Sequence, residues 1–169
     1  IEFTAIPDDG YYFIGWGSLS DSTDPTITTA LSESVTVEPE FGTIEVISND
    51  IAGSYFDGES ATLSVEIQAT PAITSYSWAF DSDPEDPDNE LVLLEDVLDP
   101  EIDYNLPSLT VSPVGSGAAG IYYLTASNAY DSVTVSGELM VLHNFSITSE
   151  NGMVSAVDDE GNSLNEASL

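Results

Sequence analysis

The chain has 169 residues, of which 31 are acidic, one is histidine and none is lysine or arginine, giving a formal net charge of −31. A surface of one negative sign makes nucleic acid and anionic membrane headgroups poor partners, and a chain without cysteine has no disulfides, thiolate catalysis or thiolate metal sites. Hydrophobic residues make up 41% of the chain, which together with regular alternation argues against the disorder that charge imbalance alone would suggest.

Alternation of apolar and polar residues predicts an all-β chain. Ile1, Phe3 and Ala5 alternate with Glu2 and Thr4; the turn Pro7-Asp8-Asp9-Gly10 follows, then the run Tyr11 to Trp16. Asp21 to Pro25 reads as loop and Ser34 to Phe41 as a further strand. From about 43 to 142, strands are expected at Ala61–Ile67, Ser75–Phe80, Ser108–Val111, Gly120–Ala126 and Ser132–Val141. Beyond them, Phe145–Thr148 and Met153–Val157 flank Ser149-Glu150-Asn151-Gly152, and Asn-Gly between alternating runs is a strong hairpin signal. Asp158-Asp159-Glu160-Gly161 reads as a second polar turn. Ala167-Ser168-Leu169 runs into Ile1-Glu2-Phe3 as though one strand had been cut in two. The expected domains are therefore 1–42, 43–142 and 143–169, the outer two being parts of successive copies of one repeated module.

Joined in the order 144–169 then 1–42, the outer segments resemble the InlB B-repeat, a small β-grasp-like module of bacterial surface proteins. The likeness is carried by Asn151-Gly152-Met153-Val154, Phe3-Thr4-Ala5-Ile6-Pro7 with Asp9-Gly10-Tyr11, Phe13-Ile14-Gly15-Trp16, and Thr36-Val37-Glu38-Pro39-Glu40-Phe41. The sequence departs from the pattern after Trp16, where Ser18-Leu19-Ser20 follows the glycine. The resemblance implies tandem arrays on a cell surface or in secreted, prokaryotic proteins, and no catalysis.

The middle segment resembles a cysteine-free bacterial immunoglobulin-like (Ig-like) β-sandwich. In that pattern Val65 and Leu124 occupy the positions of the two half-cystines, Trp78 is the inter-sheet tryptophan, and Tyr122, two residues before Leu124, is the tyrosine corner. With Trp16, these are the expected core residues. An aliphatic pair in place of a disulfide forgoes cross-linking worth roughly 2–4 kcal/mol and relies on packing instead. A chain without lysine also cannot form a Lys–Asn isopeptide staple.

One loop offers specific chemistry. Asp81, Asp83, Glu85, Asp86, Asp88 and Glu90 fall within ten residues, and hard carboxylate oxygens on a loop are what Ca²⁺ takes. The spacing is not that of an EF-hand, and a solvated acidic loop is the plainer reading. His143 reads as a linker residue, and Asn144-Phe145-Ser146 matches a glycosylation sequon. A lone histidine, no cationic group and no phosphate loop argue against an enzyme.

No long apolar stretch predicts membrane insertion. A chain without lysine or arginine offers trypsin-like proteases no site, which suits an exposed fibre. The sequence therefore predicts a repeat unit of an extracellular or cell-surface filament, sheath or stalk-like adhesin, whose partners are copies of itself arranged head to tail, joined covalently or by strand complementation. The alternatives are a binding module that takes a glycan or another surface protein through the sandwich loops, and a single module closed within one chain, with the sandwich inserted in it.

Overall fold

The computed structural model describes residues 1–86, 91–94 and 103–143, together with the backbone at 156–157 and 163–164. Among the described residues the strands are accompanied by one 3₁₀ turn at Ser116–Ala118 and a helical position at Leu94. The expected all-β class is what the chain adopts.

The sandwich begins with β4, Glu40–Asp50, which pairs antiparallel with β6, Ala61–Thr70. Strand β6 in turn pairs with β9, Ser108–Val111. The facing sheet has the order β5 (Gly53–Phe56), β11 (Ser132–Leu142), β10 (Gly120–Ser127), β7 (Ser75–Asp81) and β8 (Val92–Leu93). Period-two alternation sends Ala61, Leu63 and Val65 of β6 and Tyr122, Leu124 and Ala126 of β10 into the space between the sheets, where all six are buried. Trp78, directly opposite Leu124 in the β7–β10 register, fills the middle of this core.

Strands β4 and β5 are consecutive in sequence yet lie in opposite sheets, so the chain must cross the sandwich between Asp50 and Gly53. Two features hold that crossing. Ile51 is wholly buried, and Asn49 donates from Nδ2 to the Ser136 carbonyl at 3.0 Å while its Oδ1 accepts from the Ile51 amide at 3.3 Å. Gly137 leaves the room, since a Cβ there would come within 2.5 Å of the Ala52 nitrogen and 2.8 Å of Ile51 Cβ. After the crossing, β5 runs parallel to β11, with Gly53 opposite Leu139 and Phe56 opposite Leu142. A first strand divided between two sheets, its second part parallel to the last strand, with a buried tryptophan on the third strand, is an Ig-like sandwich.

Ahead of the sandwich stand β1, Glu2–Thr4, β2, Tyr12–Gly15, and β3, Thr26–Thr28. Strands β1 and β3 form a two-stranded antiparallel sheet, and β2 pairs with the start of β4. Strand β4 is thus shared: Glu40–Gly42 pair with β2, and Thr43–Asp50 pair with β6. Farther along, β12, Ala156–Val157, pairs antiparallel with β13, Ser163–Leu164, on either side of residues 158–162.

The strand expected over Ser34–Phe41 is displaced along the chain: it begins only at Glu40 and continues through Gly42 to Asp50. Pro39 accounts for the late start, because it brings no amide hydrogen to a ladder and constrains the residue before it. Val35, which a strand would have turned towards the core, is exposed. Strands β3, β5 and β8 were not anticipated, each having only two to four residues.

Candidate assembly junction and its brace on the sandwich

The first 42 residues build a small aromatic core around Trp16, which is 2% exposed. Its ring lies 5.2 Å from Phe13 and 6.3 Å from Phe3, and Phe13 meets Phe41 edge-on at 6.1 Å. A buried indole N–H needs an acceptor. Trp16 Nε1 donates to the Asp24 carbonyl at 2.8 Å, which fastens the loop after β2 to this core. Strand β1 is tied to β3 beyond its own ends, through Thr29 N to the Ile1 carbonyl at 2.9 Å and Ala5 N to the Pro25 carbonyl at 2.8 Å.

This unit is braced against one pole of the sandwich. The Tyr12 hydroxyl donates to the Thr70 carbonyl at 2.9 Å and receives Asn128 Nδ2 at 2.6 Å. The same Nδ2 also donates to the Pro71 carbonyl at 2.9 Å. Asn128 is itself fixed, since its Oδ1 accepts the Tyr130 and Asp131 amides at 3.0 Å each and so shapes the β10–β11 turn. Tyr130 then stacks on Tyr12, with ring centres 6.2 Å apart and an 18° interplanar angle. Gly42 makes the close approach possible: a Cβ there would overlap the Thr70 carbonyl oxygen and lie 2.5 Å from Tyr12 Cε2.

The polarity of the sandwich follows from these contacts. Gly42, Thr70, Asn128 and Ser132 mark the pole at which β4 begins. Leu142 marks the other, opposite Phe56 in the ladder and accepting the Asp57 amide at 2.9 Å. The two poles are separated by the length of β11, ten residue steps at roughly 3.3 Å each, or about 33 Å.

Of the predicted junction residues, Ile1, Glu2 and Phe3 lie in or beside β1; Phe3 packs on Trp16, whereas Ile1 is 67% exposed. Ala167, Ser168 and Leu169 lie outside the described residues, as does the Asn-Gly hairpin turn at 151–152. Ile6, 81% exposed, and Tyr11 flank a groove of about 250 Å³ together with Asp8 and Phe41. In the sandwich, Val65, Trp78, Tyr122 and Leu124 belong to one buried cluster. Trp78 Nε1 donates to the Leu106 carbonyl at 3.0 Å, and the Tyr122 hydroxyl donates to the Ala118 carbonyl four residues upstream at 3.1 Å, the geometry of a tyrosine corner. Burial pushes the Tyr122 hydroxyl up to a pKa of about 12.

In the acidic loop, Asp81 Oδ1 accepts the Asp83 amide at 3.1 Å, and the Asp83 carbonyl accepts the Asp86 amide at 3.1 Å. Asp88 and Glu90 lie outside the described residues; among the described ones, no group of three or more acidic or histidine side chains gathers as a metal site would require. His143 is exposed at the end of β11, and Asn144 of the sequon lies outside the described residues.

Tyr12, Gly42, Asn128 and Tyr130 are the residues that sequence reasoning did not single out. Asn128-Ala129-Tyr130-Asp131 carries a legible signal, an Asx-type turn between two strands, but its partner 116 residues away does not show in any local pattern.

No protein-family model matches the sequence, and no curated protein matches it. Among solved structures, the chain is similar to a chimeric titin Z1Z2, at 23% identity and a TM-score of 0.46, over 60% of this chain and 95% of that one. It is similar to Sidekick-1 immunoglobulin domains 1–5 at 22% identity and a TM-score of 0.43, over 60% of this chain and 20% of that one. For DIP-gamma Ig1 and Ig2 the figures are 21% and 0.44, over 64% of this chain and 55% of that one. Among the described residues no helix is long and apolar enough to cross a membrane. The Ig-like assignment rests on the strand order, the buried Trp78 and the Tyr122 hydrogen bond of the chain itself.

Proposed function

We propose that the chain is a structural repeat unit of an extracellular or cell-surface filament, sheath or stalk-like adhesin, with a B-repeat-like β module shared head to tail between consecutive units. The observation that carries this reading is the polarity of the sandwich. The module formed by 1–42 is braced at one pole, and β11 delivers the chain to residue 143 at the other, about 33 Å away by the strand rise. A segment that completes the module is then supplied most directly by the neighbouring unit. A contact that joins the head of one copy to the tail of the next and does not close into a ring propagates as a filament.

Two further features favour the reading. A two-stranded sheet such as β1–β3 is marginal alone and gains from added strands, and Ile1, Ile6 and Tyr11 present apolar surface beside it. The proposed role is structural, not catalytic. Bound Ca²⁺, at the 81–90 loop or between units, would offset the mutual repulsion of 31 carboxylates.

Sedimentation and electron microscopy of the purified chain test the proposal. Concentration-dependent linear oligomers are expected, weakened by Ile6→Glu without loss of the folded monomer. A monomer at all concentrations, with 144–169 protected against 1–42 of the same chain in isotope-mixed NMR, would sink it. Denaturing electrophoresis of native material separates a continuous polypeptide, which gives very large species, from assembled subunits, which give one 17.9 kDa band.

A further inference from the structure

Between the loop that follows β2 and the β10–β11 turn lies a cleft of about 310 Å³, lined mainly by polar groups. It sits where the N-terminal unit meets the sandwich, and such boundaries are where ligand clefts of roughly 300–1,000 Å³ tend to form. One wall is the loop carrying Ser20, Asp21, Ser22 and Thr23; the stretch from Ile14 to Gly17, with Glu40 and Tyr130, forms the rest. We infer that this cleft is a binding site for a neutral saccharide.

The side chains divide by what they are already doing. Ser20 Oγ accepts the Ser22 amide at 3.1 Å, Ser22 Oγ accepts the Asp24 amide at 3.1 Å, and Asp24 Oδ1 accepts the Thr26 amide at 2.9 Å. With Trp16 Nε1 on the Asp24 carbonyl, these bonds hold the loop in one shape before any ligand arrives. The carboxylates of Asp21 and Glu40 take no part in that scaffold. Each lines the cleft and can accept two hydrogen bonds, and a pair of adjacent sugar hydroxyls supplies two donors. The serine hydroxyl hydrogens, unused when the oxygens accept amides, remain to donate to ring and hydroxyl oxygens.

Tyr130 supplies the apolar half of the recognition. It is 43% exposed, and its ring is held in place by stacking on Tyr12 and by the Asn128 turn. The C–H face of a pyranose packs on such a fixed aromatic, where an amphipathic ring presents an apolar surface and a polar tip to water. Size and charge narrow the class. The cleft has room for a monosaccharide and part of its neighbour. A chain of net charge −31 without lysine or arginine offers sialic or uronic acids only repulsion. The inference does not depend on assembly, because every group named belongs to one chain.

Saturation-transfer NMR and calorimetry on the intact chain provide the test, with neutral tetrasaccharides of glucose, mannose and N-acetylglucosamine as probes and colominic acid as the anionic control. At least one neutral probe is expected to bind, with transfer strongest to the protons of one pyranose face, and the anionic control is expected not to. Asp21→Asn, on an exposed loop, should weaken binding by tenfold or more with an unchanged melting temperature. Tyr130→Ala should do the same, and Tyr130→Phe should retain most of it. Failure of every neutral probe to bind, equal binding of the anionic control, binding indifferent to Asp21→Asn, or a response of the cleft to Ca²⁺ alone would each overturn the inference. None of these outcomes bears on whether the chain forms linear oligomers.

Discussion

Asn128 donates from Nδ2 to the Tyr12 hydroxyl across 2.6 Å, although 116 residues separate the two in the chain. This one side chain both shapes the β10–β11 turn and ties that turn to β2. Asn128→Ala removes the donors to Tyr12 and Pro71 and the acceptor for two amides, and should cost roughly 2–4 kcal/mol in denaturant unfolding. Tyr12→Phe removes only the hydroxyl and should cost less, about 1–2 kcal/mol. A double variant is expected to cost less than the two single costs added, because both remove the Asn128–Tyr12 bond, yet more than Asn128→Ala alone, because the Tyr12–Thr70 bond is lost as well.

Gly42 is open to a sharper test. Alanine there would press its methyl group into the Thr70 carbonyl and the Tyr12 ring. Overpacking of this kind costs typically 1–3 kcal/mol, and here it acts where β4 changes partners. Gly42→Ala should lower the melting temperature and, in amide exchange, lower protection in β2 more than in β10.

Tyr122 makes stability depend on alkaline pH. Its pKa of about 12 in the folded chain lies above the 10.0 of a free tyrosine, so the unfolded chain loses its proton first. The stabilisation is whole below pH 10 and is lost as pH rises from 10 through 12. Tyr122→Phe should remove this component from the stability–pH profile. It should also cost about 1 kcal/mol at neutral pH through the lost bond to the Ala118 carbonyl.

Val65 and Leu124 share the core with Trp78, one on each sheet. Leu124→Ala should destabilise by about 2–5 kcal/mol, as for other fully buried leucines. The pair Val65→Cys with Leu124→Cys should form an intrachain disulfide under oxidising conditions, detected by thiol titration and mass. Once formed it should raise stability by roughly 2–4 kcal/mol over the reduced form.

Ionic strength should stabilise the whole chain. With 31 acidic residues and no lysine or arginine, repulsion between carboxylates is screened within about 10 Å at 0.1 M salt and about 3 Å at 1 M. The melting temperature should climb from 10 mM to 1 M sodium chloride. Millimolar Ca²⁺ should raise it further at low salt; a site at the 81–90 loop predicts that Asp83→Asn reduces the calcium increment while leaving the sodium response intact.

Much of the sandwich was legible because its strands alternate cleanly. Ser108–Val111 is found as expected, and Ala61–Ile67, Ser75–Phe80, Gly120–Ala126 and Ser132–Val141 each extend by only one to three residues. Residues 43–50 alternate too, yet the strand was expected to end at Phe41, whereas Gly42 is a close-packing site inside it. Strand β5 was hidden because four residues carry too little pattern, and its pairing with β11 depends on Ile51 plugging the crossover. The Trp16 loop was legible as loop, but its hydrogen-bonded shape and its placement beside Tyr130 were not. Both depend on the brace, and thus on two side chains that no window of sequence brings together.

The parallel pairing of β5 with β11 has a consequence for load. Tension applied at Gly42 and at Leu142 draws β4 and β5 towards one pole and β11 towards the other. The bonds between β5 and β11, and those between β4 and β6, are then pulled along the strand axes, so they must yield together instead of unzipping one by one. An extended chain of such units would hold its length up to a threshold force and then lengthen abruptly, one sandwich at a time.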